Sequence, residues 1–132
     1  IKSSAASDVY KRQHSIGIPL AVSAKKSMIV PTASMMIHPV RMSGVVVGAP
    51  ATYHYFQRIQ EQITDFVTAN SSITREQFSD YMMATGQIAT DVGTIVYGRE
   101  AVESGLIDRL GGLHDALECL HRMISRKQGN RG

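Results

Sequence analysis

Tryptophan is absent from the 132-residue sequence, and cysteine occurs once, as Cys119. A lone cysteine excludes an internal disulfide, so the sequence does not require an oxidising compartment. Its apolar runs are far shorter than the roughly 20 residues of a membrane-spanning helix, and no stretch has the layout of a secretory signal peptide. We therefore expect a cytoplasmic protein with no transmembrane segment.

A strong excess of charge of one sign is also missing. Fourteen basic residues stand against eleven acidic ones, a net charge of +3, and the basic residues are scattered along the chain. A nucleic-acid-binding surface concentrates positive charge on one face and adds aromatic side chains for stacking, so no nucleic-acid partner is predicted. The basic residues near the C-terminus favour a disordered tail over residues 126–132.

Residues 1–13 have neither helical nor strand periodicity. The segment resembles translated adapter sequence at the broken end of an assembled gene, so we expect a non-native or disordered leader there. Removing these 13 of 132 residues leaves 119, and the net charge falls from +3 to +1 because three basic residues and one acidic residue are lost.

The remaining sequence alternates helical patterns with short apolar segments. Helices are predicted over 15–24, 51–69, 74–84 and 98–104, with a terminal helix after Gly112, and strands over 27–30, 34–38, 94–97 and 106–108. Thr74 and Gln77 have the spacing of a capping box. The long helix is predicted to bury Phe56, Ile59, Ile63, Phe66 and Val67, and the terminal helix Leu113, Ala116, Leu117, Leu120, Met123 and Ile124.

This alternation predicts an α/β fold with a largely parallel sheet. The sequence starts inside a helical pattern, with no strand before it. Because a parallel sheet needs several strands and cover on both faces, we expect residues 14–125 to be the C-terminal part of a larger domain.

Three residue types that a serine peptidase requires stand at the ends of predicted elements. Ser15 lies where a helix begins, near unpaired backbone amides and the positive end of the helix dipole. His38 ends an apolar strand, and Asp91 lies in a predicted loop between a helix and a strand. Such residues form a catalytic triad when they converge, although Ser15 could also cap its helix and Asp91 could form a turn with Gly93.

Three motifs occur in a fixed order: Ser15-Ile16-Gly17, then Met35-Met36-Ile37-His38, then the block from Glu100 to Asp108. Together they resemble the Clp protease proteolytic-subunit family, from about Ser15 to the terminal helix. The resemblance implies a Clp protease/crotonase-like fold of stacked short βαβ units with a protruding handle helix. It also implies a serine endopeptidase that acts on peptides or unfolded proteins as a ring-forming homo-oligomer, with an unfoldase as a candidate partner.

The resemblance assigns residue roles. It makes Ser15 the nucleophile, His38 the general base and the amide of Ile16 an oxyanion donor. The acid of the family falls at Ala89, so Asp91 takes that role with a two-residue shift in register. A second oxyanion donor belongs to an upstream glycine loop that this sequence does not contain. Because losing one such donor costs about 10²–10³ in rate, we expect this chain alone to be poorly active.

The other candidates are weaker. His54, His114 and His121 lie in predicted helices without partners at the spacing of a metal site, so no metal or cofactor is predicted. Two other functions stay open: a catalytically inactive scaffold or regulatory subunit of the same fold, and a crotonase-like acyl-CoA enzyme, which would not need the serine–histidine pair.

Overall fold

Short helices and strands alternate along the part of the chain that the computed structural model describes, which comprises residues 16–41, 49–88 and 91–129. The helices are α1 (Gly17–Val22), α2 (Ala49–Ala69), α3 (Arg75–Met83), α4 (Gly98–Glu103) and α5 (Leu113–Gly129). The strands are β1 (Met28–Ile29), β2 (Ser34–Ile37), β3 (Thr85–Ile88), β4 (Asp91–Val92), β5 (Thr94–Tyr97) and β6 (Arg109–Leu110). The alternation confirms the α/β class.

The described strands pair two by two. β1 and β6 are parallel, whereas β2 and β5 form an antiparallel ladder of four residue pairs that ends with Ile37 opposite Thr94. β3 and β4 are antiparallel as well, because the two residues between them are far too few for the crossover that a parallel pair needs. The prediction of a largely parallel sheet is therefore wrong for the described strands.

The hydrophobic core lies between the β2–β5 pair and helices α1, α2 and α3. Ile37 and Val96 of the two strands are almost completely buried. Val67 of α2 is also fully buried, but Phe66, predicted on the same face, is 42% exposed. The reason is geometric: residue 66 lies about 100° around the helix from residue 67, and the buried face of α2 instead includes Thr64.

Helix α3 begins where the sequence predicts. The hydroxyl of Thr74 accepts a hydrogen bond from the backbone N–H of Gln77 at 3.1 Å. The side chain of Gln77 lies 3.5 Å from the hydroxyl of Tyr81. The threonine contact is therefore the half of the predicted capping box that forms. Arg75 then forms ion pairs with Asp65 and Glu61, which join α3 to α2.

The segment that follows α4 differs from its predicted strand. Gly105 ends the helix with φ of +77°, a conformation that glycine adopts without strain. Leu106 and Ile107 are buried, but the N–H of Ile107 donates to the carbonyl of Ala101 at 3.0 Å, so the chain folds back on α4. The strand forms at Arg109–Leu110 instead, as β6.

The terminal helix α5 contradicts its predicted packing. None of its residues is buried, and Leu113, Leu117 and Leu120 are each about half exposed or more. The helix also continues to Gly129, so residues 126–129 are helical rather than part of a tail. Within the described ranges, no helix is long and apolar enough to cross a lipid bilayer.

A hydrogen-bonded pair, Ser27 and Asp108, joins the start of β1 to the segment before β6. The carboxylate of Asp108 accepts from the N–H and the hydroxyl of Ser27 at 2.7 and 3.1 Å, and the N–H of Asp108 donates to that hydroxyl at 3.0 Å. Lys26 lies 3.6 Å from the same carboxylate. Partial burial raises the pKa of Asp108, but these hydrogen bonds and the lysine charge outweigh it and leave the pKa below its ordinary value.

Asp108→Asn is expected to lower the free energy of unfolding at pH 7 by about 1 kcal/mol, a small value for a charged hydrogen bond because the side chain is 40% exposed. With a lowered folded-state pKa, the carboxylate stabilises the fold fully above its unfolded-state pKa of about 3.9 and loses that effect as pH falls through the folded-state value. Urea unfolding at pH 7 and pH 3 measures this, with the surface variant Glu103→Gln as control. If Asp108→Asn loses the same free energy of unfolding at both pH values, the assignment of a lowered pKa to Asp108 is contradicted.

Candidate active site

His38 directly follows β2 and is half-buried. Its Nδ1 lies 2.7 Å from the backbone carbonyl oxygen of Pro39. A carbonyl oxygen only accepts hydrogen bonds, so this contact favours the tautomer with its proton on Nδ1. Nε2 is then the basic nitrogen, as a general base requires.

The β2–β5 ladder fixes the position from which His38 projects. Ile37 is paired with Thr94, which is buried and donates its hydroxyl to the carbonyl of Tyr81 at 2.6 Å. Gly93, the residue just before β5, packs against the backbone of His38. The histidine therefore stands at the end of a strand that is anchored to α3 through its neighbour.

An apolar pocket opens beside His38. It is lined mainly by aliphatic and aromatic side chains from α1, β2, α2 and α3: Ile18, Pro19, Met36, Ile37, Val40, Ile63, Phe78 and Met82, with Gln60 and His38 as polar members. Its free volume of about 20 Å³ is close to the space of one water molecule. Two methionines, Met36 and Met82, are part of its wall, and methionine is a flexible side chain that re-packs easily.

Gln60 connects α2 to the segment after His38. Its side-chain oxygen accepts a hydrogen bond from the N–H of Val40 at 3.2 Å. The contact holds residues 39 and 40, including the carbonyl that meets the imidazole, against the pocket wall. Sequence reasoning missed Gln60, although a polar residue three positions before Ile63, on the apolar face of α2, was the available signal.

Helix α1 contributes two residues to the same pocket. Ser15 itself lies outside the described residues. Ile16, which follows it, is 63% exposed and accepts the first backbone bond of the helix, from Leu20 at 3.1 Å. Ile18 and Pro19, three and four residues after Ser15, line the pocket beside His38.

Comparison with known proteins settles the family. The Clp protease family model matches residues 9–112, which is more than half of the chain. The chain belongs to the Clp protease family. This confirms the resemblance drawn from the three motifs and the fold that it implies.

One curated protein is similar to this chain over most of its length. It is the translocation-enhancing protein TepA of Halalkalibacterium halodurans (strain C-125), 45% identical over 115 residues. The match covers 87% of the chain but 45% of that protein. The chain thus spans about half the length of the curated relative it matches.

The structure places Asp91 differently from the predicted loop. Its backbone lies in β4, opposite Ile88 of β3, and its side chain lies outside what the structure describes. Asp91 precedes Gly93 by two residues, and Gly93 packs against the backbone of His38.

The helical histidines do not join this site. His54, His114 and His121 are exposed on α2 and α5. Among the residues that the structure describes, no group of three His, Cys, Asp or Glu side chains could hold a metal ion.

Proposed function

We propose that the protein is a serine endopeptidase that hydrolyses peptides or unfolded proteins through Ser15, His38 and Asp91. One observation carries the proposal: the helix that follows Ser15 and the strand that precedes His38 line one apolar pocket. The contact of His38 Nδ1 with the Pro39 carbonyl supports it, because that contact leaves Nε2 as the basic nitrogen.

In the proposed reaction, the hydroxyl of Ser15 attacks the peptide carbonyl while His38 Nε2 takes its proton. The same imidazolium returns the proton to the departing amine, and water then hydrolyses the acyl-enzyme. Asp91 stabilises the imidazolium, and the N–H of Ile16 donates to the oxyanion. That N–H stands at a helix start, where backbone donors lack intrahelical partners.

The pocket indicates which residue the enzyme prefers before the cleaved bond. Aliphatic, aromatic and methionine side chains form most of its wall, so an apolar side chain gains from burial there, whereas a charged one loses its hydration. The two methionines adapt the pocket to side chains of different shape. We therefore assign an apolar substrate residue to this pocket.

Ile63→Ala tests that assignment, because it removes three carbon atoms from the pocket wall. The ratio of kcat/KM for peptides with phenylalanine before the cleaved bond to that for alanine is expected to rise about tenfold, the low end of the effect of a methylene-sized change. Ile59→Ala on the same helix is the matched control, since Ile59 does not line the pocket. An unchanged ratio in Ile63→Ala, or the same rise in both variants, contradicts the assignment.

The assembly and location belong to the same proposal. We propose that the protein acts in the cytoplasm as a ring-forming homo-oligomer, with α2 as the handle between subunits. Tyr53 and Tyr55 near the start of α2 are more than half exposed, and exposed aromatic side chains are enriched in protein interfaces. Sedimentation velocity tests this, and a purely monomeric protein at micromolar concentration contradicts it.

A further inference from the structure

Gly93 lies directly across the β2–β5 ladder from the candidate general base. Ile37 is paired with Thr94. One residue beyond this antiparallel pair, Gly93 lies beside His38. Gly93 is buried, and its φ of +135° falls in a region that L-residues with side chains rarely adopt. Both features indicate that this position is reserved for glycine.

The approach between the two backbones is too close for any side chain. A Cβ atom on Gly93 would lie 2.3 Å from the carbonyl oxygen of Ile37, 3.0 Å from the Cβ of His38 and 3.1 Å from its Cα. Contacts this short require atoms to move apart. The atoms that would have to move belong to His38 and the peptide bond that precedes it.

Hydrogen bonds hold Gly93 and its neighbour Thr94 to the end of α3, so Gly93 cannot move away from His38. Its N–H donates to the carbonyl of Ala84 at 2.8 Å. Thr94, the next residue, donates its hydroxyl to the carbonyl of Tyr81 at 2.6 Å. Both acceptors lie at the C-terminal end of α3, which is anchored in the core by the buried Phe78 and Met82.

We propose that Gly93 is a positioning residue for His38: its bare backbone, held against the end of α3, is the surface that sets where the imidazole stands relative to the nucleophile. The catalytic part of this inference rests on the proposed function. A group misplaced by about 1 Å can cost about 10²-fold in rate, so the contact is a sensitive point of the site.

The test compares Gly93→Ala with Gly86→Ala. Gly86 also has a positive φ, +90°, but a Cβ there would meet nothing within 4 Å, so both variants introduce the same kind of backbone strain and only one displaces His38. The first readout is the NMR signal of the His38 imidazole and its titration midpoint, which needs no catalysis. The second is the rate at which a fluorophosphonate probe labels Ser15 between pH 5 and pH 9.

Gly93→Ala is expected to shift the His38 signal and to slow labelling by about 10²-fold, whereas Gly86→Ala leaves both as in the parent protein. A folded Gly93→Ala protein with an unchanged His38 signal overturns the proposal, and so does an equal change in Gly86→Ala. If the parent protein is not labelled at Ser15 but the NMR differences are as expected, the peptidase proposal fails and the positioning of His38 by Gly93 stands.

A second pair of variants decides the case if Gly93→Ala does not fold. Thr94→Val removes the hydroxyl that holds this segment to Tyr81, and Thr94→Ser keeps it. The valine variant is expected to shift the His38 signal, and the serine variant to restore it. A His38 signal that is the same in both variants then overturns the proposal.

Discussion

Replacing Ser15 by alanine is expected to lower kcat for peptide hydrolysis by about 10⁶-fold, the loss typical when the nucleophile of a triad is removed. The reason is chemical: without the hydroxyl no acyl-enzyme forms, whatever the state of His38. The measurement is cleavage of casein or a fluorogenic peptide by the longest form of the protein that can be produced. Ser23→Ala is the matched control, because Ser23 is an exposed serine at the other end of α1.

The double variant sharpens this prediction. Residues that act as one unit lose their effect together, so Ser15→Ala with His38→Ala is expected to be no slower than Ser15→Ala alone. Cleavage that persists at the parent rate in Ser15→Ala contradicts the peptidase proposal. It would instead favour the inactive scaffold or the acyl-CoA enzyme, neither of which needs this hydroxyl.

Asp91→Asn is expected to lower kcat by about 10³–10⁴-fold, because the neutral amide no longer stabilises the imidazolium that forms on His38. Activity measured from pH 6 to pH 9 shows whether the loss persists at every pH, as the removal of a charge that acts on the imidazolium requires. Asp80→Asn, an exposed carboxylate on α3, is the control for general effects of removing a negative charge.

The contact between His38 and Pro39 explains the result that would contradict the prediction for Asp91→Asn. If Asp91→Asn keeps its activity within about tenfold, the acid assignment is wrong and the backbone carbonyl of Pro39, 2.7 Å from Nδ1, holds the tautomer by itself. Such an outcome would make the site a serine–histidine pair oriented by the main chain.

The predictions from sequence succeeded where one local pattern decides the structure. Thr74 caps α3 because its hydroxyl reaches an amide three residues away, and Gly105 ends α4 because glycine tolerates a positive φ. For the apolar segment from Leu106 the sequence predicts a strand, because burial and strand formation produce the same apolar signal. The structure resolves that ambiguity, since these residues are buried against α4 without a strand partner.

The remaining differences arise from tertiary contacts that no local pattern encodes. The apolar stripe of α5, which includes Leu117 and Leu120, shows that one face of the helix is apolar but not what covers it. Gly93 and Gln60 act on His38 and Val40 across the ladder and from another helix. His38 is predicted from its place at the end of an apolar segment and from its motif, both of which are contiguous in sequence.

The central claim is that His38 activates Ser15, and covalent labelling tests it most directly. The longest available form of the protein is treated with a fluorophosphonate probe, and the adduct is located by mass spectrometry in the parent protein and in His38→Gln. The account predicts an adduct on Ser15 whose rate of formation falls by at least about 10²-fold in His38→Gln, the scale of general-base catalysis. An adduct on another residue, or labelling of Ser15 at the same rate in both proteins, would contradict it.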